Sequence, residues 1–141
     1  MLNASIVLYQ PDWHQVTNLT EVILQSDYVD CVYWIDNSPT GQQFESLDSR
    51  IKYRHNPYNM GYGAAHNIAI RESIYDDVPF HLVINPDIIL TREALDSMLQ
   101  FIAQHSEVGS LMPRVIYPNG QLQRLCKLLP TPMDVFGRRF L

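Results

Sequence analysis

Four short runs read as β-strands, and each ends in a cluster of turn-forming or polar residues. They are Ser5 to Tyr9 (SIVLY), Cys31 to Ile35 (CVYWI), Ile51 to His55 (IKYRH) and Phe80 to Ile84 (FHLVI). The second is followed by Asp36-Asn37-Ser38-Pro39, the third by Asn56-Pro57 and the fourth by Asn85-Pro86-Asp87. Between them lie stretches with helical spacing. Trp13, Val16, Leu19, Ile23 and Leu24 make one apolar stripe, with Asp12 placed to cap its helix. Leu95, Met98, Leu99 and Ile102 make another, behind Thr91. A glycine-bearing stretch, Asn59 to Asn67, leads into a helix ending near Tyr75. Val108 to Met112 reads as a fifth strand, and Val115 to Gln123 as a hairpin around Pro118-Asn119-Gly120. Short strands alternating with amphipathic helices predict an α/β fold: a mostly parallel sheet with helices on both faces.

Length and charge narrow the function. The 141 residues suffice for one compact domain, and a 46% hydrophobic share gives it a core to bury. A formal net charge of −5 argues against a nucleic-acid partner held through its phosphate backbone. It leaves room for a small phosphorylated ligand neutralised by a cation. Cys31 and Cys126 form no metal-ligand or redox pattern and read as reduced thiols. No apolar run approaches the roughly 20 residues needed to span a bilayer. The start, MLNASIVLYQPDW, has no basic leader. The expected location is cytoplasmic, with peripheral contact at the inner face of a membrane.

In open α/β sheets, ligands bind outside the C-terminal ends of the strands. Three groups fall there. Asp36 offers a carboxylate that could accept from a base or ribose, or could simply close its own turn through Ser38. Gly61 and Gly63 permit close backbone approach, and the helix after them offers free N–H groups to an anion. No Gly-Lys-Ser/Thr follows, so this is not a P-loop. Asp87, spaced from Asn85 by Pro86, is an oxygen ligand suited to a hard cation sharing a diphosphate. Each group alone has an ordinary structural explanation: a turn, a helix start, a strand-to-helix loop. Of the histidines, His66 lies nearest a phosphate position, and a structural role suits it better.

The order of these pieces is what carries meaning. SIVLY with Gln10, WIDNSP, NPYNMGYGAAHNIAI, HLVINPD and GSLMPRVIYPNGQLQ together resemble family-2 glycosyltransferases of the GT-A fold, especially a bacterial rhamnosyltransferase-like branch. The resemblance implies that Tyr9 lines the nucleotide base and Asp36 bonds it. Gly61, Tyr62, Gly63 and Asn67 would line the nucleotide-sugar pocket. Asn85-Pro86-Asp87 looks like the family's Asp-x-Asp element with Asn in first place. Asp87 would then ligate Mg²⁺ or Mn²⁺, and Asn85 would contact sugar or ribose.

The implied activity is inverting transfer from dTDP-rhamnose or a UDP-sugar to a saccharide or lipid-linked acceptor in surface polysaccharide synthesis. The implied division is a nucleotide-sugar-binding part over residues 1–125 and an acceptor-side segment or tail over 126–141. The family's general base lies in a later acidic motif. Only Glu93, Asp96, Glu107 and Asp134 follow Asp87, and none matches it. The expectation is therefore a chain truncated at its C-terminus that binds donor without transferring it. Its apolar tail would favour a homodimer or aggregate. Two rivals stand beside this reading: a nucleotide-sugar-binding module without catalysis, and a sugar-phosphate nucleotidyltransferase. The second needs a basic, glycine-rich loop after the first strand, where Tyr9-Gln10-Pro11-Asp12 stands instead.

Overall fold

The computed structural model describes residues 1–44 and 47–123. Its elements run β1 (Leu2–Leu8), α1 (Trp13–Leu24), β2 (Val29–Asp36), β3 (Ile51–His55), α2 (Tyr62–Tyr75), β4 (Phe80–Ile84) and α3 (Arg92–Gln104). The strands form one sheet in the order β3-β2-β1-β4, and every pairing is parallel. Parallel pairing requires crossovers: α1 joins β1 to β2, α2 joins β3 to β4, and residues 37–50 join β2 to β3 without a helix in the described part. All four strands therefore end at the same edge of the sheet.

Side-chain alternation divides the core into two layers. Leu2, Ala4, Ile6 and Leu8 of β1 join Val32 and Trp34 of β2 against Val16, Leu19 and Ile23 of α1 and Leu95 of α3. On the other face Cys31, Tyr33 and Ile35 meet Ala65 and Ala69 of α2. The α1 layer is anchored by aromatics. Trp34 donates its indole N–H to Thr20 Oγ1 at 2.9 Å. Trp13, Phe44 and Tyr53 pack around it with ring centroids 5.1 to 6.4 Å apart. Phe44 belongs to the long loop after β2, so this cluster holds that loop to the body. Both predicted caps form: Asp12 accepts from His14 N–H at 3.0 Å, and Thr91 accepts from Ala94 N–H at 3.2 Å.

Two expectations need comment. β1 begins at Leu2, three residues before the apolar run, because Asn3 and Ser5 are buried strand residues that find partners on α2 and β4. The fifth strand does not form. Residues 108–112 are irregular, and among the described residues nothing pairs with the outer edge of β4. Gly109 and Ser110 favour strand poorly, and Pro113 removes a ladder donor. This stretch instead borders an apolar groove of about 380 Å³ between β4 and α3, lined in part by Phe80, Leu82, Met98, Ile102 and Leu111. The hairpin does form: Tyr117 N–H donates to Gln121 O at 2.8 Å and Gln123 N–H to Val115 O at 2.9 Å. Gly120, at φ 81°, makes its turn. Cys31 is a buried free thiol. Cys126, Asp134 and the 126–141 segment lie outside the described residues.

Candidate functional site

At the C-terminal edge of the sheet, polar loop residues bond to one another across three connections. Ser38 Oγ accepts from the backbone N–H of Gln10 at 2.7 Å, joining the loop after β2 to the loop after β1. His55 Nε2 lies 2.9 Å from Ser38 O, so β3 is drawn in as well. Asn56 Nδ2 donates to Asn37 Oδ1 at 2.8 Å, and Asn37 Nδ2 reaches Gly61 O at 3.5 Å. Asn59 Oδ1 then accepts from Gly61 N–H at 2.9 Å. Asn37, Ser38 and Asn56 are each 5% exposed or less. These residues shape the site without having been singled out from sequence. The signal was present as two turn clusters, Asn-Ser-Pro and Asn-Pro, but their mutual bonding is a tertiary fact.

Each candidate residue can be placed against this frame. Tyr9 follows β1 and is 54% exposed at the sheet edge. Asp36 ends β2 and is only 1% exposed. Its Oδ1 accepts from Ser38 N–H at 2.8 Å and its Oδ2 from the Tyr53 hydroxyl at 2.7 Å. Asp36 thus closes its own turn, the structural role open to it in the sequence. Burial, together with Asp36, pushes the Tyr53 phenol up to about 12, so Tyr53 stays a donor. A carboxylate has about four lone-pair sites, so two remain beyond these bonds.

Gly61 adopts φ 81° and caps α2. That left-handed conformation favours glycine, while the space beside it is open. No side chain caps the helix, and its first turn carries no acid. The N–H groups of the first turn of α2 are therefore left without a side-chain cap. Gly63 also has open space where a Cβ would stand. Asn67 is exposed one turn further on. Tyr62 is half exposed, and its ring meets His66 edge-on at 4.3 Å.

Asn85 and Asp87 follow β4 in an exposed turn, with Ile88 N–H donating to Asn85 O at 3.3 Å. Partial burial raises the Tyr62 phenol, and the negative charge of Asp87 raises it further. The Asp87 charge therefore acts on the Tyr62 hydroxyl, although the two residues are 25 positions apart in sequence. The glycine turn and the Asn85–Asp87 loop both follow strands that end at the same edge of the sheet.

Among the described residues no three His, Cys, Asp or Glu side chains cluster as a metal site. Asp87 makes no hydrogen bond or ion pair there, so its oxygens are free. One free carboxylate beside an amide suits Mg²⁺ or Mn²⁺, which take one or two protein carboxylates and complete their shell with phosphate and water. Two grooves among the described residues lie elsewhere. One borders β4 and α3, and one of about 310 Å³ borders Asn3, Lys52 and Asp76. Chemistry and topology mark the strand-end surface; depth does not.

A parallel α/β sheet with helices on both faces and its polar loops at the C-terminal edge is the arrangement in which such folds bind ligands at their strand ends. The family follows from comparison: the glycosyl transferase family 2 model matches residues 13–129, and the chain belongs to that family. No curated protein matches the chain. Glycosyltransferase chemistry, with nucleotide-sugar and acceptor substrates, is thereby its general activity. No helix among the described residues is long and apolar enough to cross a membrane.

Proposed function

We propose that this chain binds a nucleotide sugar, dTDP-rhamnose or a UDP-sugar, along the C-terminal edge of its sheet. The observation that carries the reading is the start of α2 at Gly61, φ 81° and without a side-chain cap, on the same strand-end edge as Asp87 after β4. The base would lie by Tyr9 and Asp36, using the carboxylate lone pairs left over from the turn. The diphosphate would meet the first N–H groups of α2 at Gly61, Tyr62 and Gly63, with Asn67 and Asn85 toward sugar or ribose. Asp87 would hold Mg²⁺ or Mn²⁺. When bound, that cation neutralises charge on the departing diphosphate.

In the complete reaction an acceptor hydroxyl of a saccharide or lipid-linked glycan attacks the anomeric carbon with inversion, and a carboxylate takes its proton. Bacterial surface polysaccharide synthesis, in the cytoplasm or at the inner face of its membrane, is the setting this chemistry suits. A binding module without catalysis is the second reading. It is favoured by the engagement of later acids: Asp96 accepts from Ser26 Oγ at 2.7 Å and pairs with Arg92, and Glu107 bonds His105 at 2.9 Å. Calorimetric titration of UDP- and dTDP-sugars with Mn²⁺ and with chelator tests the proposal. Cation-dependent binding is expected; equal affinity in both conditions would remove the metal role.

A further inference from the structure

Beneath the candidate site, five buried or part-buried polar side chains sit between α2 and the sheet. Ser5 Oγ lies 2.7 Å from His66 Nδ1 and 2.7 Å from His81 Nε2. Ser73 Oγ lies 2.7 Å from His81 Nδ1, accepts from Asn3 Nδ2 at 3.0 Å, and donates to Ala69 O at 3.0 Å. Proton counting orders this set. A serine hydroxyl has one proton and a neutral imidazole has one N–H. Ser73 gives its proton to Ala69 O, so His81 must donate from Nδ1. Its Nε2 is then bare and accepts the Ser5 proton. Ser5 has no proton left, so His66 donates from Nδ1. His66 Nε2 is left as a bare acceptor, and it is buried without a partner. The opposite direction would give up the Ala69 bond and strand a buried N–H, which proteins tolerate less than an unfilled acceptor. Burial keeps both rings neutral, each pulled down to about 4.

The chain of bonds joins the two elements that carry the candidate site. His66 and Ser73 belong to α2, which begins at the glycine turn, and His81 belongs to β4, which ends at Asn85–Asp87. Ser5 on β1 stands between them. We propose that Ser5, His66, His81 and Ser73 form a one-directional hydrogen-bond chain that positions the glycine turn against the Asn85–Asp87 loop, with both histidines fixed as Nδ1–H tautomers. These are positioning residues, and their role rests on the donor-site reading above.

The test uses the full chain labelled with ¹⁵N in its histidines. Long-range ¹H–¹⁵N spectra of the unliganded protein at neutral pH should show two buried rings protonated at Nδ1 and bare at Nε2. Ser5→Ala should release the His66 tautomer and weaken nucleotide-sugar binding about tenfold, the scale of one lost buried hydrogen bond. Ser5→Thr, which keeps the hydroxyl, should restore both. Should Ser5→Ala not fold, Ser73→Ala removes the end that sets the direction and should release both His81 and His66 from the Nδ1–H form. An Nε2–H tautomer at either ring would overturn the proposal. So would Ser5→Ala with unchanged ring signals and affinity. Wild-type protein that binds no nucleotide sugar would overturn the donor reading and the positioning role with it. The tautomer measurement needs no ligand, so the two failures are told apart.

Discussion

The two sides of the strand-end surface are built differently. Over β1, β2 and β3 the loops are cross-bonded through buried Asn37, Ser38 and Asn56: Gln10 to Ser38, Ser38 to His55, Asn56 to Asn37, Asn37 to Gly61. Over β4 the Asn85–Asp87 turn is exposed, and the strand's outer edge is unpaired among the described residues. The first side is preorganised and holds its shape without ligand. The second offers free oxygens but little around them. A site for a base and ribose benefits from rigidity, because ordering loops on binding costs affinity. A cation site sharing a diphosphate can be open, because ligand and water complete it.

The largest expected effect falls on the rigid side. Trp34→Ala removes a 2% exposed indole, its bond to Thr20 and the anchor of Phe44. Chemical denaturation should show a loss of about 3–5 kcal/mol. A smaller loss would mean that the α1 layer repacks and that the loop after β2 is not held by this cluster.

Acid should act next. His66 is 2% exposed and its imidazole is pulled down to about 4 by burial, against 6.5 for the free group. Between those values the unfolded chain binds a proton that the folded one excludes. Stability from this group is full above about pH 6.5, falls as pH drops toward 4, and is then level. Its share is on the order of 3 kcal/mol. His81, lowered by burial and by His66, moves in the same direction. Melting temperatures across pH 7 to 4 measure this. A flat profile would mean that neither ring is held neutral by burial.

Asn56→Ala should cost about 1–3 kcal/mol, because it leaves Asn37 Oδ1 buried without its donor. It should also weaken nucleoside binding, since Asn37 reaches Gly61. A loss of stability with unchanged nucleoside affinity would separate the loop network from the base site. Asp87→Ala should move stability by less than about 0.5 kcal/mol, as exposed loop changes do. It should nevertheless abolish the Mn²⁺ dependence of donor binding. If cation dependence survives, the exposed side of the site has been assigned to the wrong residue.

The strands, the helices and the placement of Asp36 and Asp87 at strand ends were readable because period and turn chemistry are local. What was not readable depended on distant partners. Asn3 and Ser5 interrupt the apolar pattern of β1, and their acceptors and donors lie 61 to 76 positions away. The apolar run alone therefore starts the strand late, and nothing local links His66 to His81. Residues 108–112 carry enough apolar character to suggest a strand, but a strand exists only where it pairs, and these residues do not pair with the open outer edge of β4. Asp36 shows the reverse case. Its turn role was legible from Ser38-Pro39, whereas the Tyr53 hydroxyl on its second oxygen required the β2–β3 pairing.

The most direct measurement is amide chemical-shift mapping during titration with UDP- and dTDP-sugars in the presence of Mg²⁺, which is diamagnetic. The expected perturbations gather at Tyr9, Asp36, Gly61 to Gly63 and Asn85 to Asp87, on both sides of the strand-end surface. Perturbations confined instead to the groove between β4 and α3, at Phe80, Met98 and Leu111, would contradict a donor site at the C-terminal edge of the sheet.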